Sequence, residues 1–180
     1  MSNFYTDVIQ KDSRFTSTNR VSDPALLEPV TRQLVQAIID QARQLGFEMM
    51  IFETYRSPQR QEMLFQQGAT KLRTVGVHHY GLACDIVKQI GGEPSWKGDF
   101  SFVGTLAHSA GLIWGGDWGT PNQPHSFVDQ PHVQRCTIAR QGALFAGAWY
   151  PTADYNPYKD DPHVILSQAI GTVSTATTTG

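Results

Sequence analysis

A charged residue stands inside an apolar segment near the middle of the chain. Residues 78–87 read HHYGLACDIV, and Asp85 follows Cys84 in what the pattern predicts to be a buried strand. A buried carboxylate needs hydrogen bonds, an ion pair or a metal ion, because its desolvation is otherwise too costly. His78 lies seven positions earlier and could share a metal ion with Asp85 only if the chain turns between them. Gly81 permits such a turn, because glycine adopts backbone angles that other residues avoid.

A second pair of an acid and a histidine occurs later, where residues 129–132 read DQPH. A bend at Gln130-Pro131 would bring Asp129 and His132 to one pocket, since proline argues against a helix interior. Two histidines, one carboxylate and an open position form a catalytic zinc site. A carboxylate that does not bind the metal would be the base for an activated water. From spacing alone two alternatives stay open: an ion pair between Asp85 and an arginine, and a turn-capping role for Asp129.

Composition restricts the possible classes of protein. The chain has 180 residues, 40% hydrophobic and 17% charged, with a net charge of −2. This predicts one globular domain with its own core and no basic surface for nucleic acid. No apolar run approaches the ~20 residues that span a bilayer. The N-terminus lacks the basic start and apolar block of a signal peptide, which predicts a protein made in the cytoplasm.

The order of elements favours an α+β fold with an antiparallel sheet, because helices and strands mix without a regular βαβ alternation. Residues 1–20 are expected to form an arm or a short first strand, and residues 91–99 a turn-rich connection. Helices are predicted over residues 30–45, 58–67, 100–110 and 138–145, and strands over 47–55, 83–90 and 112–114, with 127–136 returning to the core. Cys84 and Cys136 are predicted to be buried thiols that face different sides and form no disulfide.

Four separated segments resemble one known family. The pattern H-x-x-G-x-A-x-D resembles the first metal motif of the D-alanyl-D-alanine carboxypeptidase and L-alanyl-D-glutamate endopeptidase family, zinc peptidases that cut bacterial peptidoglycan peptides. The later acid-x-x-His pair is similar to the second motif, and the YRS segment resembles an arginine segment of the family. Residues 111–118, GLIWGGDW, resemble the stretch before the last ligand in the endopeptidase branch. These segments contain His78, Gly81, Ala83, Asp85, Asp129, His132 and Tyr55-Arg56-Ser57.

The resemblance implies a role for each matching residue. His78, Asp85 and His132 would bind Zn²⁺, Asp129 would be the general base, and Arg56 would steady the oxyanion or a substrate carboxylate. It also implies a small antiparallel sheet with flanking helices and the zinc site at the sheet. There are departures: Gly76 stands where many members carry serine, and the base is aspartate rather than glutamate, which fits the endopeptidase branch better. A surface ion pair is the alternative for Arg56, and His79 is the alternative first ligand.

Some residues could line a substrate groove, although packing accounts for aromatic residues equally well. They are Tyr80, Trp114, Trp118 and His125. The expected division of the chain is an N-terminal arm over 1–21, a zinc peptidase domain over 22–150, and a partly disordered C-terminal extension over 151–180.

The resemblance leads to a predicted activity and two alternatives. The prediction is hydrolysis of the L-alanyl-D-glutamate bond in peptidoglycan stem peptides. The alternatives are a D-alanyl-D-alanine carboxypeptidase and a zinc-stabilised binding module without turnover. The substrate implies action on the cell wall in the periplasm after release or non-classical export. The protein is expected to be a monomer, with a secretion system or a phage lysis system as a possible partner.

Overall fold

A mixed arrangement of helices around one sheet makes up the computed structural model, which describes residues 2–70, 73, 75–119 and 127–160. The α-helices are α1 (Phe4–Asp7), α2 (Pro29–Gln44), α3 (Pro58–Gln66), α4 (Ser101–Ala110), α5 (Ile138–Phe145) and α6 (Pro157–Asp160). The strands are β1 (Met49–Glu53), β2 (Ala83–Ile90), β3 (Glu93–Ser95), β4 (Ile113–Trp114) and β5 (His132–Gln134). The predicted α+β class with a small antiparallel sheet and flanking helices is confirmed.

Strand β2 is the centre of the sheet. The strands pair antiparallel in the order β1-β2-β5-β4, and β3 pairs with the C-terminal half of β2. Lys88 of β2 pairs with β1 and β3, whereas Asp85 pairs with β1 and β5, so β3 and β5 lie along the same edge of β2. Between them the Ile86 amide donates to the Pro131 carbonyl at 2.9 Å. Along this edge of β2, the regular strand pairing is therefore interrupted between β3 and β5, next to the DQPH segment.

The two faces of β2 have different surroundings, because successive side chains point to opposite sides of a sheet. Cys84 and Ile86 pack into the main core against the apolar sides of α2 and α4. Asp85 points to the other face, together with His132, its Cα partner in β5. One face of β2 therefore packs against the core, and the other face carries Asp85 and His132.

Two predictions about local structure are wrong. Of the two alternatives for residues 1–20, the short first strand is wrong: residues 4–11 form helical turns, because Asn3 and Thr6 form a capping box at the start of α1. Ile9 then buries its side chain against Val21 and Tyr55. The connection expected over residues 91–99 contains a strand, β3, since Gly91 and Gly92 adopt positive φ angles and turn the chain back onto β2.

The other predicted helices and strands agree with the observed ones to within a few residues at their ends. Residues 127–136 contain the short strand β5, and α6 lies in the segment expected to be a C-terminal extension. Cys84 and Cys136 are free and buried, in different clusters of the core, as predicted. Within the described ranges, no helix combines the length and the apolar character that crossing a bilayer requires.

Candidate metal site

Three side chains from distant segments converge on the polar face of the sheet. The Asp85 Oδ1 atom lies 3.2 Å from His78 Nε2 and 3.1 Å from His132 Nδ1. The two nitrogens lie 3.2 Å from each other. Within the described residues, these three side chains form a group that could hold a metal ion.

The hydrogen bonds behind the two imidazoles decide which nitrogen of each carries the proton. His78 Nδ1 donates to the Thr54 carbonyl at 3.1 Å, because a carbonyl can only accept. His132 Nε2 donates to Gln134 Oε1 at 2.9 Å, and the amide nitrogen of Gln134 donates to the Cys136 carbonyl, which sets the orientation of that amide. His78 Nε2 and His132 Nδ1 are therefore left with lone pairs that face the Asp85 oxygen.

This donor set fits a zinc ion. When both imidazoles are neutral, as metal ligands must be, the two lone pairs and the carboxylate oxygen are three acceptors with no proton between them, an arrangement that a cation stabilises. A tetrahedral zinc ion with bonds of about 2.0–2.1 Å holds its ligand atoms about 3.3–3.4 Å apart. The observed separations of 3.1–3.2 Å are close to that value.

The turn that joins His78 to Asp85 depends on a glycine. Residues Val77–Tyr80 form a 3₁₀ turn, which ends at Gly81 with a φ of 70°. A Cβ atom at Gly81 would lie 2.6 Å from the Leu26 carbonyl oxygen, so the position excludes a side chain for reasons of space as well as conformation. The predicted turn at this glycine is present.

Close packing of two backbone segments positions Asp129. The His132 amide donates to the Asp129 carbonyl at 3.1 Å, which closes the predicted bend across Gln130-Pro131. The Asp129 amide donates to the Gly115 carbonyl at 2.9 Å, and a Cβ at Gly115 would lie 2.4 Å from the Asp129 oxygen. Gly115 of the GGDW segment therefore lets this bend pack against the loop that precedes it.

Arg56 lies behind the metal site, between two carboxylates. Its Nε donates to Glu53 Oε2 at 2.8 Å, and its Nη2 donates to the same oxygen and, at 3.3 Å, to Asp85 Oδ2. Glu53 is only 1% exposed and is also bound by Arg60. One oxygen of Asp85 therefore faces the histidines and the other faces a guanidinium.

The two acids of the site differ in their affinity for protons. Burial alone would raise the pKa of Asp85, but His78 and His132 hold it well below the usual range. Burial raises the pKa of Asp129, and the charge of Asp85 adds to this effect. Arg56 and the two histidines act in the opposite direction on Asp129 without cancelling the rise. The surroundings therefore favour the charged form of Asp85, and they favour protonation of Asp129 more than that of Asp85.

The site segments coincide with a match to a family model. A model described as D-alanyl-D-alanine carboxypeptidase matches residues 70–135, which include His78, Asp85, Asp129 and His132. The peptidoglycan L-alanyl-D-glutamate endopeptidase CwlK of Bacillus subtilis is 30% identical over 140 residues, which cover 66% of this chain and 80% of that enzyme. The chain belongs to the D-alanyl-D-alanine carboxypeptidase and L-alanyl-D-glutamate endopeptidase family of metallopeptidases.

Two further proteins are similar to this chain. An L-alanyl-D-glutamate peptidase of a Listeria phage is 32% identical over 136 residues, and the chain spans about half of that protein (46%). Among solved structures, the L-Ala D-Glu endopeptidase ChiX of Serratia marcescens is similar with a TM-score of 0.48 and 23% identity, covering 66% of this chain and 90% of that one.

The other residues that the sequence singled out lie in different surroundings. His79 points away from the metal site and contacts the Tyr5 hydroxyl at 2.7 Å. Tyr80 packs between Tyr5 and Phe145. His125 lies outside the described residues.

The two candidate tryptophans differ in their relation to the site. Trp114 is buried and donates to the Gln130 carbonyl at 2.7 Å, so it supports the bend that carries Asp129. The ring centroid of Trp118 lies 5.0 Å from that of His132, and Trp118 therefore borders the site. Contact of either residue with substrate stays a prediction.

Sequence reasoning missed two residues that support the candidate metal site from behind. Gln134 lies two positions after His132 on the same face of a strand, a spacing that could have indicated a partner for the imidazole. Glu53 is an acid at the end of an apolar strand, MMIFE, which is the same signal that drew attention to Asp85.

Proposed function

We propose that this metallopeptidase is a zinc enzyme that hydrolyses the L-alanyl-D-glutamate bond of peptidoglycan stem peptides. The observation that carries the proposal is the convergence of the His78, Asp85 and His132 acceptors on one point, with both histidine tautomers set from behind. The Bacillus and phage relatives are both named for this bond, which supports endopeptidase activity for this chain as well.

His78, Asp85 and His132 are the proposed ligands. When bound, zinc would act as a Lewis acid that activates water for attack on a peptide carbonyl. Thr54 and Gln134 keep the imidazole lone pairs directed at the ion. Arg56 holds the outer oxygen of Asp85 and so restricts rotation of that carboxylate.

Asp129 is the proposed general base. Its carboxylate would accept a proton from the attacking water and return it to the nitrogen of the leaving amine. Its raised pKa suits both steps, because a weaker carboxylic acid is a better base. The charge of Arg56, which acts on Asp85 and on Asp129, would also favour negative charge that develops on the substrate oxygen.

D-alanyl-D-alanine carboxypeptidase activity is the second candidate, because the matching family model carries that description. Products distinguish the two activities. An L-alanyl-D-glutamate endopeptidase leaves L-alanine as a new carboxyl terminus, whereas a carboxypeptidase releases free D-alanine. A zinc-stabilised binding module, the third candidate, would release neither.

The test is digestion of purified muropeptides by the zinc-loaded protein, followed by mass spectrometry of the products. We expect new L-alanine termini, and we expect the His132→Ala protein and chelator-treated protein to produce none. Failure of the zinc-loaded protein to cleave any peptidoglycan type would refute the proposal. Such a substrate places the reaction at the cell wall; a monomeric enzyme and a route through a secretion or phage lysis system remain part of the proposal.

A further inference from the structure

A groove lies beside Asp129, between the residues that follow β3 and those that precede β5. It has a volume of about 490 Å³ and is lined by Trp96, Phe100, Val128 and residues 129–131. Trp96 is 51% exposed and Val128 is 55% exposed. Large apolar side chains that stay exposed around a cleft are typical of ligand contact.

Trp96 and Phe52 connect this groove to the side chain of Arg20. The Trp96 ring meets the Phe52 ring edge-on, with centroids 4.8 Å apart and planes at 82°. The guanidinium carbon of Arg20 lies 4.1 Å from the centroid of Phe52. These three side chains form a continuous wall that begins at the groove beside Asp129 and ends at a positive charge.

A bulge in β1 explains how Phe52 reaches this wall. Ile51 pairs with Ile86, and Glu53 pairs with Asp85, so Phe52 is an extra residue between two registered pairs. A β-bulge changes the direction of the side chains around it and is frequent beside active sites.

Arg20 differs from the other arginines near the site. Arg56 binds Glu53 and Asp85, and Arg60 binds Glu53. Arg20 is exposed, and within the described part of the chain it has neither an ion pair nor a hydrogen bond. Its guanidinium is therefore the one in this region whose donors are available to an anion, and guanidinium binds carboxylates through paired hydrogen bonds.

The chemistry of the proposed reaction indicates which part of the substrate lies here. Asp129 returns its proton to the leaving amine, which is the nitrogen of D-glutamate, so that residue must lie on the Asp129 side of the cut bond. D-glutamate has two carboxyl groups, and the peptide continues through only one of them. A free carboxylate therefore accompanies the leaving amine into this groove.

We infer that Trp96, Phe52 and Arg20 form a subsite that binds the D-glutamyl residue, with Arg20 pairing with its free carboxylate. The inference rests on the proposed function and adds a specificity determinant to it. Trp96 supplies apolar contact that is independent of the substrate charge, and Arg20 distinguishes a carboxylate from an amide.

The experiment compares two synthetic L-alanyl-D-glutamyl peptides, one with the free carboxylate and one with that group converted to an amide. We expect the wild-type enzyme to prefer the carboxylate. Arg20→Ala should lower kcat/KM for the carboxylate peptide by about tenfold or more and leave the amide peptide unchanged, since a hydrogen bond to a charged group is lost. Trp96→Ala should raise KM for both peptides with little change in kcat, and Trp96→Phe should restore most of the loss.

Arg43→Ala is the matched control, because Arg43 is an exposed arginine at the end of α2, the helix packed on the opposite face of the sheet. Arg43→Ala should leave kcat/KM for both peptides unchanged, and zinc content and unfolding midpoints should match among all variants. An unchanged carboxylate preference in Arg20→Ala overturns the subsite while the proposed function stands. If neither the wild type nor any variant cleaves either peptide, the proposed function fails. Calorimetric titration of both peptides into the zinc-loaded wild type and Arg20→Ala then tests the subsite. Equal affinities of the two proteins for the carboxylate peptide overturn the subsite, and a weaker affinity of the variant for that peptide supports it.

Discussion

Glu53 and Asp85 are Cα partners across the β1–β2 pair, and Arg56 lies between their two carboxylates. Without the bulge at Phe52, continuing the register of Ile51 and Ile86 would pair Glu53 with Cys84, which faces the apolar core. The bulge places Glu53 on the face of Asp85 instead. A local irregularity of one strand thus provides the charge network behind the metal site.

Removal of the Glu53 charge should destabilise the protein. Glu53→Gln leaves Arg56 and Arg60 without their shared carboxylate, and breaking a buried ion pair costs about 3–5 kcal/mol. We also expect weaker zinc binding, because Arg56 holds Asp85. Urea denaturation and zinc competition measure the two effects. Asp40→Asn is the control, since its pair with Arg43 is exposed and should contribute at most about 1 kcal/mol; equal losses in the two variants would contradict this account.

Loss of the Gln134 acceptor should weaken the metal site without unfolding the protein. Gln134→Leu removes the oxygen that sets the tautomer of His132, and changes at such partners typically lower metal affinity by about 10–100-fold. A zinc titration against a fluorescent chelator measures the change. Gln36→Leu alters an exposed glutamine of α2 and should bind zinc like the wild type. Wild-type affinity in Gln134→Leu would show that the tautomer of His132 is set by another group.

Replacement of the proposed base should separate metal binding from catalysis. Asp129→Asn keeps the shape of the side chain but cannot accept a proton, so kcat should fall by about 10²–10⁴-fold while one zinc ion per chain is retained. His132→Ala should lose both zinc and activity. Elemental analysis and muropeptide digestion provide the two readouts. An Asp129→Asn enzyme with normal turnover would exclude this residue as the base.

Two glycines with similar backbone angles allow the effect of space to be separated from the effect of conformation. Gly81 and Gly68 have φ angles of 70° and 72°, but only at Gly81 would a Cβ meet the Leu26 oxygen, whereas nothing lies within 4 Å of Gly68. Gly68→Ala should cost about 1–2 kcal/mol for the left-handed conformation alone. Gly81→Ala should cost clearly more and should weaken zinc binding. Thermal unfolding and zinc titration measure both, and similar losses in the two variants would argue against the steric role.

Zinc removal should lower stability in a way that depends on the proposed ligands. A ligand that binds only the folded state stabilises it by about 2.7 kcal/mol at one hundred times its dissociation constant. Dialysis against a chelator should therefore lower the unfolding temperature, and added zinc should restore it. The unfolding temperature of His132→Ala should not respond to zinc. A wild-type protein that is equally insensitive would mean that the three side chains do not bind zinc in the folded state.

Much of the fold could be predicted because local patterns express it directly. The apolar stripe of α2 and the Ser57 cap of α3 predict helices at nearly the observed positions. The predicted strand over residues 83–90 is β2 itself. The β1 bulge and the short strand β3 were beyond such reasoning, because both depend on pairing with a partner strand rather than on the segment's own residues.

The sequence by itself determined which residues could perform chemistry, since their types and spacing resemble the motifs of one metallopeptidase family. Only the tertiary structure decided that His78, Asp85 and His132 meet, which imidazole nitrogens face inward, and that Arg56 pairs with Glu53. It also placed Trp96, from the segment predicted to be a turn-rich connection, in the groove beside Asp129. The physical reason is that motifs record local constraints along the chain, whereas hydrogen bonds and ion pairs between distant segments arise only when the sheet brings those segments together.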